Sequence, residues 1–352
     1  MFGYWLLIGV PIVLSFMDLP KKNLNSSLFM LGVFYVLFVG LRYEVGADRW
    51  AYSDMYDTMA SLSFKDALDY TEPGFATINW LLAQMDAGVY SVNFIVAVIF
   101  VSGLIRFAKT TPLPFLALIS VTPYLVIAIG MSATRQSAAI GLVFHLMASW
   151  RQSLVYKVSL STLATLFHNS GIMSFIFVLQ SLKMRLWVRL LLFGLGATVL
   201  YPVLTQTDAA LKYQKTYIED DLLSSGALMH ALLNAVPAVI YLVFRRQWLA
   251  RFGASDLLPL LALLSILSVF GVSVSSTGVD RLALYLSPIQ MIVYGSLPFL
   301  FGYQYKTQLT AGIIAIQLLI MFFWLAYANT AEGFLPYQNL ITDALFGTAK
   351  PF

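Results

Sequence analysis

Between Leu41 and Met59 the chain reads LRYEVGADRWAYSDMYDTM, with two arginines, four carboxylates and four ring side chains in close succession. Asp48, Tyr52 and Tyr56 recur at every fourth position, so a helix here presents them on one face. A carboxylate beside rings suits carbohydrate: the carboxylate accepts hydroxyl hydrogen bonds, and the rings pack on the C–H faces of a pyranose. The plainer reading is a juxtamembrane amphipathic helix with interfacial tyrosines. Arg42 within the stretch and Arg135 far along the chain favour a binding site. Asp54 and Asp57 fall off the shared face and are expected to be dispensable.

Arg135 follows Ser132-Ala133-Thr134 and precedes Gln136, at the predicted start of a helix. Ser132 or Thr134 is expected to cap that helix, leaving its N–H groups and the guanidinium aimed at one point, which makes an anion site. Arg281 repeats the pattern, with Asp280 as its expected cap. A single terminal arginine can instead snorkel to lipid headgroups. Arg42, Arg135 and Arg281 on one side of a membrane point to a diphosphate, whose oxygens a guanidinium matches bidentately.

His168 interrupts an apolar stretch within Phe167-His168-Asn169-Ser170-Gly171. It reads as a structural hydrogen-bonding group, a phosphate contact or a general base. His145 reads as structural, and His230 is left open. Glu72, just before Pro73, is a helix cap or a site carboxylate. The acidic run from Ile218 to Asp221 reads as a solvated face.

These residues need a frame. The 352 residues are 59% hydrophobic and 11% charged, against about 25% charged in a soluble domain. Apolar runs near span length recur from end to end. They predict an all-α polytopic membrane protein of about 11 spans plus re-entrant or half helices. The net charge of +4 comes from basic residues placed singly or in pairs between apolar runs, so no nucleic-acid partner is implied. The chain has no cysteine, hence no disulfide framework and no Cys-ligated metal. Walker, Rossmann, GxSxG and HExxH patterns are also absent, so this chain supplies no energy from nucleotide hydrolysis.

Lys21 and Lys22 put the turn after the first span, Phe2 to Phe16, inside and the N-terminus outside. The second span, Ser27 to Leu41, then leads out to an outer loop over 42–74. Glu72 to Met85 is too short to span and reads as an interfacial or re-entrant helix. Val89 to Ile105, Leu113 to Ile129 and Gln136 to Trp150 are spans. Val155 to Leu182 is read as a hairpin of two half-helices about His168. Spans at 190–204, 228–244, 257–274, 282–301 and 309–327 follow, with a second outer loop over 205–226 and an outer tail over 328–352. The whole of 1–352 is thus expected to be one membrane domain. Arg42, Asp48, Arg135, His168, Asp280 and Arg281 all fall on its outer side, and ionisable groups near membrane depth are functional candidates by default.

The stretch from Arg42 to Tyr56 resembles the R-x-x-x-G-x-D-x-x-x-Y-x-x-x-Y signature of the EpsG family of exopolysaccharide-synthesis membrane proteins. That family is similar in role to Wzy-type O-antigen polymerases. Glu72 to Phe75 resembles its E-P-G-F segment, Arg135-Gln136 its R-Q at a span start, and His168 to Ser170 its H-x-S. Arg281 to Tyr285 resembles its R-x-x-x-Y, and Pro336-Tyr337 its terminal P-Y. Ala47 departs from the pattern: a hydroxyl-bearing residue is expected before the aspartate, so the hydrogen bonding around Asp48 is expected to differ.

The resemblance implies a GT-C-class glycosyltransferase of the bacterial inner membrane, with its site facing the periplasm. Donor and acceptor are implied to be repeat units on undecaprenyl diphosphate, joined without metal or cofactor. Membrane lipids and a chain-length regulator are the further partners implied. Arg42, Arg135, Gln136 and Arg281 are then expected to hold the diphosphate. Asp48, Tyr52, Tyr56, Glu72, Tyr285 and Tyr337 are expected to hold sugar. Asp48 or His168 orients or deprotonates the acceptor hydroxyl, with Asp280 in reserve. The alternatives are an O-antigen ligase and a flippase of lipid-linked oligosaccharide. Polar groups gathered on one side, and not through the full depth, favour an enzyme.

Overall fold

Backbone groups inside a bilayer must be satisfied within their own segment, so apolar stretches of this length become helices. The structure is a computed structural model. It describes residues 1–182 and 226–346, with 184, 185, 187, 188, 191, 192 and 194 between them. The described residues are helical and contain no strand. Among the described residues, four helices are long and apolar enough to cross a membrane: Lys21–Gly40, Val89–Ala108, Pro114–Ser132 and Tyr303–Tyr327. Two bent pairs, Ala227–Val243 with Arg245–Phe252 (79°) and Ser276–Leu286 with Pro288–Phe299 (45°), bring the number to six if each is one span. Phe2–Ser15, Leu154–Phe167, Asn169–Gln180 and Leu257–Gly271 are shorter apolar helices. The expected span 190–204 and outer loop 205–226, including the acidic run, lie almost wholly outside the described residues.

Contacts divide the chain into two compact units, Met1–Ile172 with Tyr294–Phe352, and Met173–Val293. The first contains α1 (Phe2–Ser15), α2 (Lys21–Gly40), α3 (Arg49–Ser61), α4 (Phe64–Tyr70), α5 (Pro73–Gln84) and α6 (Val89–Ala108). Lys21 and Lys22 are the first turn of α2 and not a separate loop. Next come α7 (Pro114–Ser132), α8 (Thr134–Ala148) and α9 (Leu154–Phe167). Residues Thr122–Ile129 of α7 form a π-helical stretch beginning beside Pro123, which lacks the N–H that a regular turn needs.

The tightest joint is between α6 and α8. A Cβ on Gly103 would overlap the carbonyl oxygen of Gly141, and one on Gly141 would lie 2.5 Å from the Phe100 Cα. Two facing glycines let the helix backbones touch, a device suited to membrane helices, where no hydrophobic force between spans helps association.

The outer polar stretch folds into more helix than its sequence announces. The Ser63 hydroxyl accepts from the Asp66 N–H and starts α4. Met59, Ala67 and Ala76 close a small core among α3, α4 and α5, and the Trp80 indole donates to the Leu62 carbonyl at 3.0 Å. Beyond α9 the chain breaks at His168, passes through a 3₁₀ segment at Asn169–Ser174 and resumes as α10 (Phe175–Gln180). The interruption read from the sequence is therefore at the expected residues.

The second unit holds α10, α11 (Ala227–Val243), α12 (Arg245–Phe252), α13 (Leu257–Gly271) and α14 (Ser276–Ala283), and most of α15 (Pro288–Ser296). Arg245, Arg246 and Arg251, which fall between the expected spans 228–244 and 257–274, belong to α12, whose buried Trp248 meets Tyr241 edge-on at 5.7 Å. Buried Asn234 of α11 donates to the Ala283 carbonyl at 2.8 Å and accepts from Gln290 at 2.8 Å, so these polar groups are satisfied.

The chain returns to the first unit in α16 (Lys306–Tyr327) and ends, as described, in α17 (Leu340–Phe346). The segment between them is a brace and not a free tail. Tyr43 N donates to the Gln338 carbonyl (3.0 Å), Leu340 N to Leu41 (2.9 Å) and Gly46 N to Gly333 (2.8 Å). Gly46 has φ +118°, and a Cβ there would strike the Met131 carbonyl oxygen, so both backbone shape and space require glycine.

Candidate functional site

Arg135 owes its place to the break between α7 and α8. Ala133, at φ −81° and ψ 67°, occupies the cap position of α8 and offers no side-chain cap. The expected caps do other work. Ser132 Oγ accepts from Asp48 N (3.2 Å) and donates to Asp48 Oδ2 (3.1 Å). Thr134 Oγ1 accepts from Arg42 Nη2 at 3.0 Å. The break thus ties the start of α8 to the loop that opens α3.

Arg135 Nη1 donates to Glu72 Oε2 at 2.8 Å and to Thr71 Oγ1 at 3.0 Å, and Thr71 Oγ1 donates to Glu72 Oε2 at 2.8 Å. The Arg135 backbone N–H donates to the Tyr52 hydroxyl at 3.4 Å, and the Tyr52 ring meets Phe75 edge-on at 5.7 Å. Arg135 Nε is buried with no partner. Glu72 holds the cap position of α5 without capping it; it is a site carboxylate.

Burial pushes the Glu72 carboxyl up, but Arg135, His168 and hydrogen bonds outweigh that and hold it below its ordinary value of 4.5. A carboxyl lowered on folding stabilises above its unfolded pKa and loses that contribution as pH falls through the folded one. The thermal midpoint of wild type should therefore exceed that of Glu72→Gln by a constant margin above about pH 5.5, narrowing toward pH 4 and below. A margin that does not change over this range would contradict the ion pair. For Tyr52, burial raises the phenol against the opposing pull of Arg135, so it stays a neutral hydroxyl at physiological pH.

His168 stands at the end of α9, where Gly74 of α5 fits closely: a Cβ there would lie 2.9 Å from the Leu166 carbonyl oxygen. His168 Nδ1 accepts the Ser170 backbone N–H at 3.1 Å and pairs with Ser170 Oγ at 2.6 Å. A nitrogen that accepts has no proton, so neutral His168 carries its hydrogen on Nε2 and acts there as a donor. That suits a phosphate or hydroxyl contact and disqualifies Nε2 as a base. Gln136 is buried and donates to Ser170 Oγ at 3.4 Å; it supports His168 and is not presented to a diphosphate, as the sequence reading had it.

Other expectations are corrected by where the side chains go. Arg42 is 4% exposed and donates Nη1 to Val39 O (2.7 Å), Nε to Val45 O (3.3 Å) and Nη2 to Asn93 Oδ1 (3.1 Å) and Thr134 Oγ1. Its donors are used in joining α2, α6 and α8, so it is a structural arginine and not a diphosphate ligand. Burial lowers its pKa to about 10, which leaves it charged. Arg42→Lys has three donors for four acceptors, so at least one is left unpaired, at about 1–3 kcal/mol. The expected result is a lower thermal midpoint in detergent with an unchanged KM.

Tyr56 is buried, donates to Leu82 O (3.0 Å) and accepts from Gly88 N (2.7 Å); helix packing has claimed this end of the face expected to hold sugar. Tyr337 stacks on Phe38 at 4.0 Å and donates to the Phe38 carbonyl at 2.8 Å, so it too is structural. Tyr285 is buried in the second unit. There also, Ser275 and not Asp280 caps α14, because the helix starts five residues earlier than the sequence suggests; Asp280 and Arg281 sit near its end. Asp280 Oδ1 pairs with His230 Nδ1 at 2.6 Å.

The first unit thus gathers Asp48, Tyr52, Glu72, Arg135 and His168 from distant sequence. Sequence reading missed Thr71, whose only signal was adjacency to Tyr70 and Glu72; it gave Ser132 the role of a helix cap and Ser170 only a place in a motif, and did not foresee their bonds to Asp48 and His168. Beside the cluster, a cleft of about 430 Å³, counting its open mouth, is lined by Glu44, Arg49, Trp50, Tyr52, Tyr90 and Ser132, among others. Arg49 lies over the Trp50 ring at 5.1 Å.

Helices long and apolar enough to cross a bilayer, with a charged and aromatic cluster at their ends, define a polytopic membrane protein. The chain belongs to the EpsG family, whose match covers residues 26–339. Membership suggests an exopolysaccharide-related membrane protein and is consistent with a glycosyltransferase-like polymerase role. No curated protein and no solved structure matches the chain.

Proposed function

We propose that this protein is a GT-C-class polysaccharide polymerase at the periplasmic face of the inner membrane. It moves a growing glycan from undecaprenyl diphosphate onto a sugar hydroxyl of a new lipid-linked repeat unit. The acceptor oxygen attacks the anomeric carbon as its proton passes to a carboxylate, for which Asp48 is the candidate; the bond from that carbon to the diphosphate oxygen breaks, and its electron pair leaves on the diphosphate. A single displacement of this kind inverts the anomeric centre, and it draws on neither metal nor nucleotide.

The observation that carries this reading is Arg135: anchored by Glu72 and Thr71, it keeps a buried Nε donor without a protein acceptor. Such a donor is costly until an oxygen meets it, and a diphosphate gaining charge in the transition state supplies one. His168, with its hydrogen on Nε2, is a second donor for that charge. Asp48 and Tyr52 orient sugar. Arg281 is retained as a further diphosphate candidate on sequence grounds.

The test uses purified full-length protein in liposomes, with undecaprenyl-diphosphate-linked repeat units extracted from a polymerase-null strain. Excess chelator is present and nucleotide is absent. The expected result is a polymer ladder with release of undecaprenyl diphosphate. Units carried across the bilayer unjoined would establish a flippase instead, and a single transfer onto lipid core a ligase.

A further inference from the structure

The cleft beside the site cluster contains an arginine that the glycosyl-transfer reading has not used. Arg49 opens α3, and among the described residues its guanidinium makes no ion pair and one hydrogen bond, from Nη1 to the Gly46 carbonyl at 3.1 Å. Its Nε is buried without a partner. A Cβ on Gly333 would lie 3.4 Å from Nη1, so the C-terminal brace leaves room for the guanidinium. Nε and Nη2 share one edge of that group and point two parallel N–H donors the same way. Such an edge matches the two oxygens of a carboxylate or phosphate. Leaving it unmatched is unfavourable until an oxyanion arrives.

The rings around Arg49 suit a sugar. The guanidinium lies over the Trp50 ring at 5.1 Å, and Trp50 is 57% exposed. Tyr90, in the first turn of α6, brings a second ring, set against Tyr43 at 5.6 Å. The volume of about 430 Å³ falls within the range of small-ligand sites, about 300–1,000 Å³. Every lining residue belongs to the first unit. Ser132, which holds Asp48, forms one wall, and Tyr52, whose hydroxyl accepts the Arg135 N–H, forms another. The cleft therefore adjoins the place where the acceptor hydroxyl is to stand. An exposed tryptophan can simply anchor a protein at the membrane interface, but Trp50 lines a cleft with an unmatched guanidinium over its face. Glu44 lines the same cleft, and its charge opposes a diphosphate more than a single carboxylate.

We propose that this cleft is the subsite for the acceptor sugar, and that this sugar carries a carboxylate, as a uronate does. Arg49 Nε and Nη2 donate to the two carboxylate oxygens, and the Trp50 ring packs on the C–H face of the pyranose. The hydroxyl to be joined belongs to a sugar, whereas the acceptor's own diphosphate stands at the lipid-linked end of its unit, so a sugar is what reaches this place. This inference rests on the glycosyl-transfer reading above, which supplies the lipid-linked glycan.

The probe is the repeat-unit glycan of the polymerase-null strain, freed from its lipid by mild acid and compared with the same glycan after carboxyl reduction, which turns each carboxylate into an alcohol. Binding to purified full-length protein is read from tryptophan fluorescence, and Trp50→Phe identifies the part of the signal that comes from the cleft. The native glycan should contain a carboxylate-bearing sugar and bind about 10- to 100-fold more tightly than the reduced form, as hydrogen bonds to a charged group require. Arg49→Gln should bind the two forms equally weakly, and Arg49→Lys, a point charge in place of a fork, should regain part of the preference. A repeat unit with no acidic sugar, or reduced glycan held as tightly as native by wild type, would overturn the proposal, and neither result depends on a variant that folds. Arg49-dependent binding of inorganic pyrophosphate, with no such binding of the glycan, would overturn it in favour of a diphosphate. Because binding does not require chemistry, the two readings separate. Wild-type protein that prefers the acidic glycan but makes no polymer in liposomes shows the carboxylate subsite and removes the glycosyl-transfer reading. Protein that polymerises native and reduced units equally well removes the subsite alone.

Discussion

Arg135→Ala should make no polymer beyond single repeat units while reaching the membrane at near-normal levels. The guanidinium is one preorganised partner for charge that develops on the leaving diphosphate, and removing such a partner costs about 10²- to 10³-fold in rate. Its side chain is one-third exposed, so its loss opens a space that water can enter. The carboxylate it leaves behind, Glu72, is only 9% exposed, and an uncompensated buried charge is destabilising. Glu72→Gln should therefore restore some stability to Arg135→Ala without restoring polymer. Arg135→Lys keeps the charge but has a single donor position, which cannot hold Glu72 and Thr71 and also meet a diphosphate. It should fold and recover a small part of the rate. Glycan ladders from a polymerase-null strain, read with membrane levels of each variant, give the result directly. Normal ladders from Arg135→Ala would remove the diphosphate role.

Gly141→Leu should abolish accumulation of the protein. The first side-chain carbon would lie 2.5 Å from Phe100 Cα and 2.6 Å from the Ile99 carbonyl oxygen, both backbone atoms that cannot swing away. Relief requires α6 and α8 to separate. That would pull on Asn93 and Thr134, which hold Arg42 from those two helices, and would shift Arg135 at the start of α8. Overpacking in a filled core typically costs about 1–3 kcal/mol; loss of the Arg42 hydrogen bonds adds to it. Gly141→Ala, with the same first carbon and no more, is the milder case and should lower the yield of folded protein measurably. Wild-type levels of Gly141→Leu in the membrane would refute the close approach.

Much of the first unit could be read from apolar run lengths and from the charges between them. Helix starts were placed within a few residues where a proline or serine marked them, as at Pro73 and Pro114. The break at His168 was legible because histidine, asparagine, serine and glycine in a row cannot continue an apolar helix cheaply. Tertiary use of side chains was not legible. Arg42 and Arg135 look alike in sequence, each beside an apolar run. Only packing shows that α2, α6 and α8 close around the first and use its donors, while the second keeps an unmatched one. Tyr52 and Tyr56 share a helical face, yet the face turns toward Leu82 and Gly88 at its far end, so the second hydroxyl is spent on backbone. Asp280 does not cap α14 for a local reason: Ser275 accepts from the Gly278 N–H and starts the helix earlier. Its pairing with His230 joins residues 50 apart, a distance at which no periodicity speaks.

The brace near the C-terminus has a consequence for the order in which this protein matures. Asn339 reaches the Leu37 carbonyl across 302 residues of chain, and Tyr4 reaches Phe334 across 330. The loop bearing Asp48 is therefore pinned only after the chain through residue 339 has left the ribosome. Contacts of such long sequence separation form late, since the loop they close costs entropy before it gives anything back. Until then the Arg42 loop lacks its pairing to residues 333–340, and the walls of the candidate site are incomplete. A nascent chain already threaded into the bilayer would thus be silent toward lipid-linked glycan, and competence would arrive in one late step with the docking of the brace.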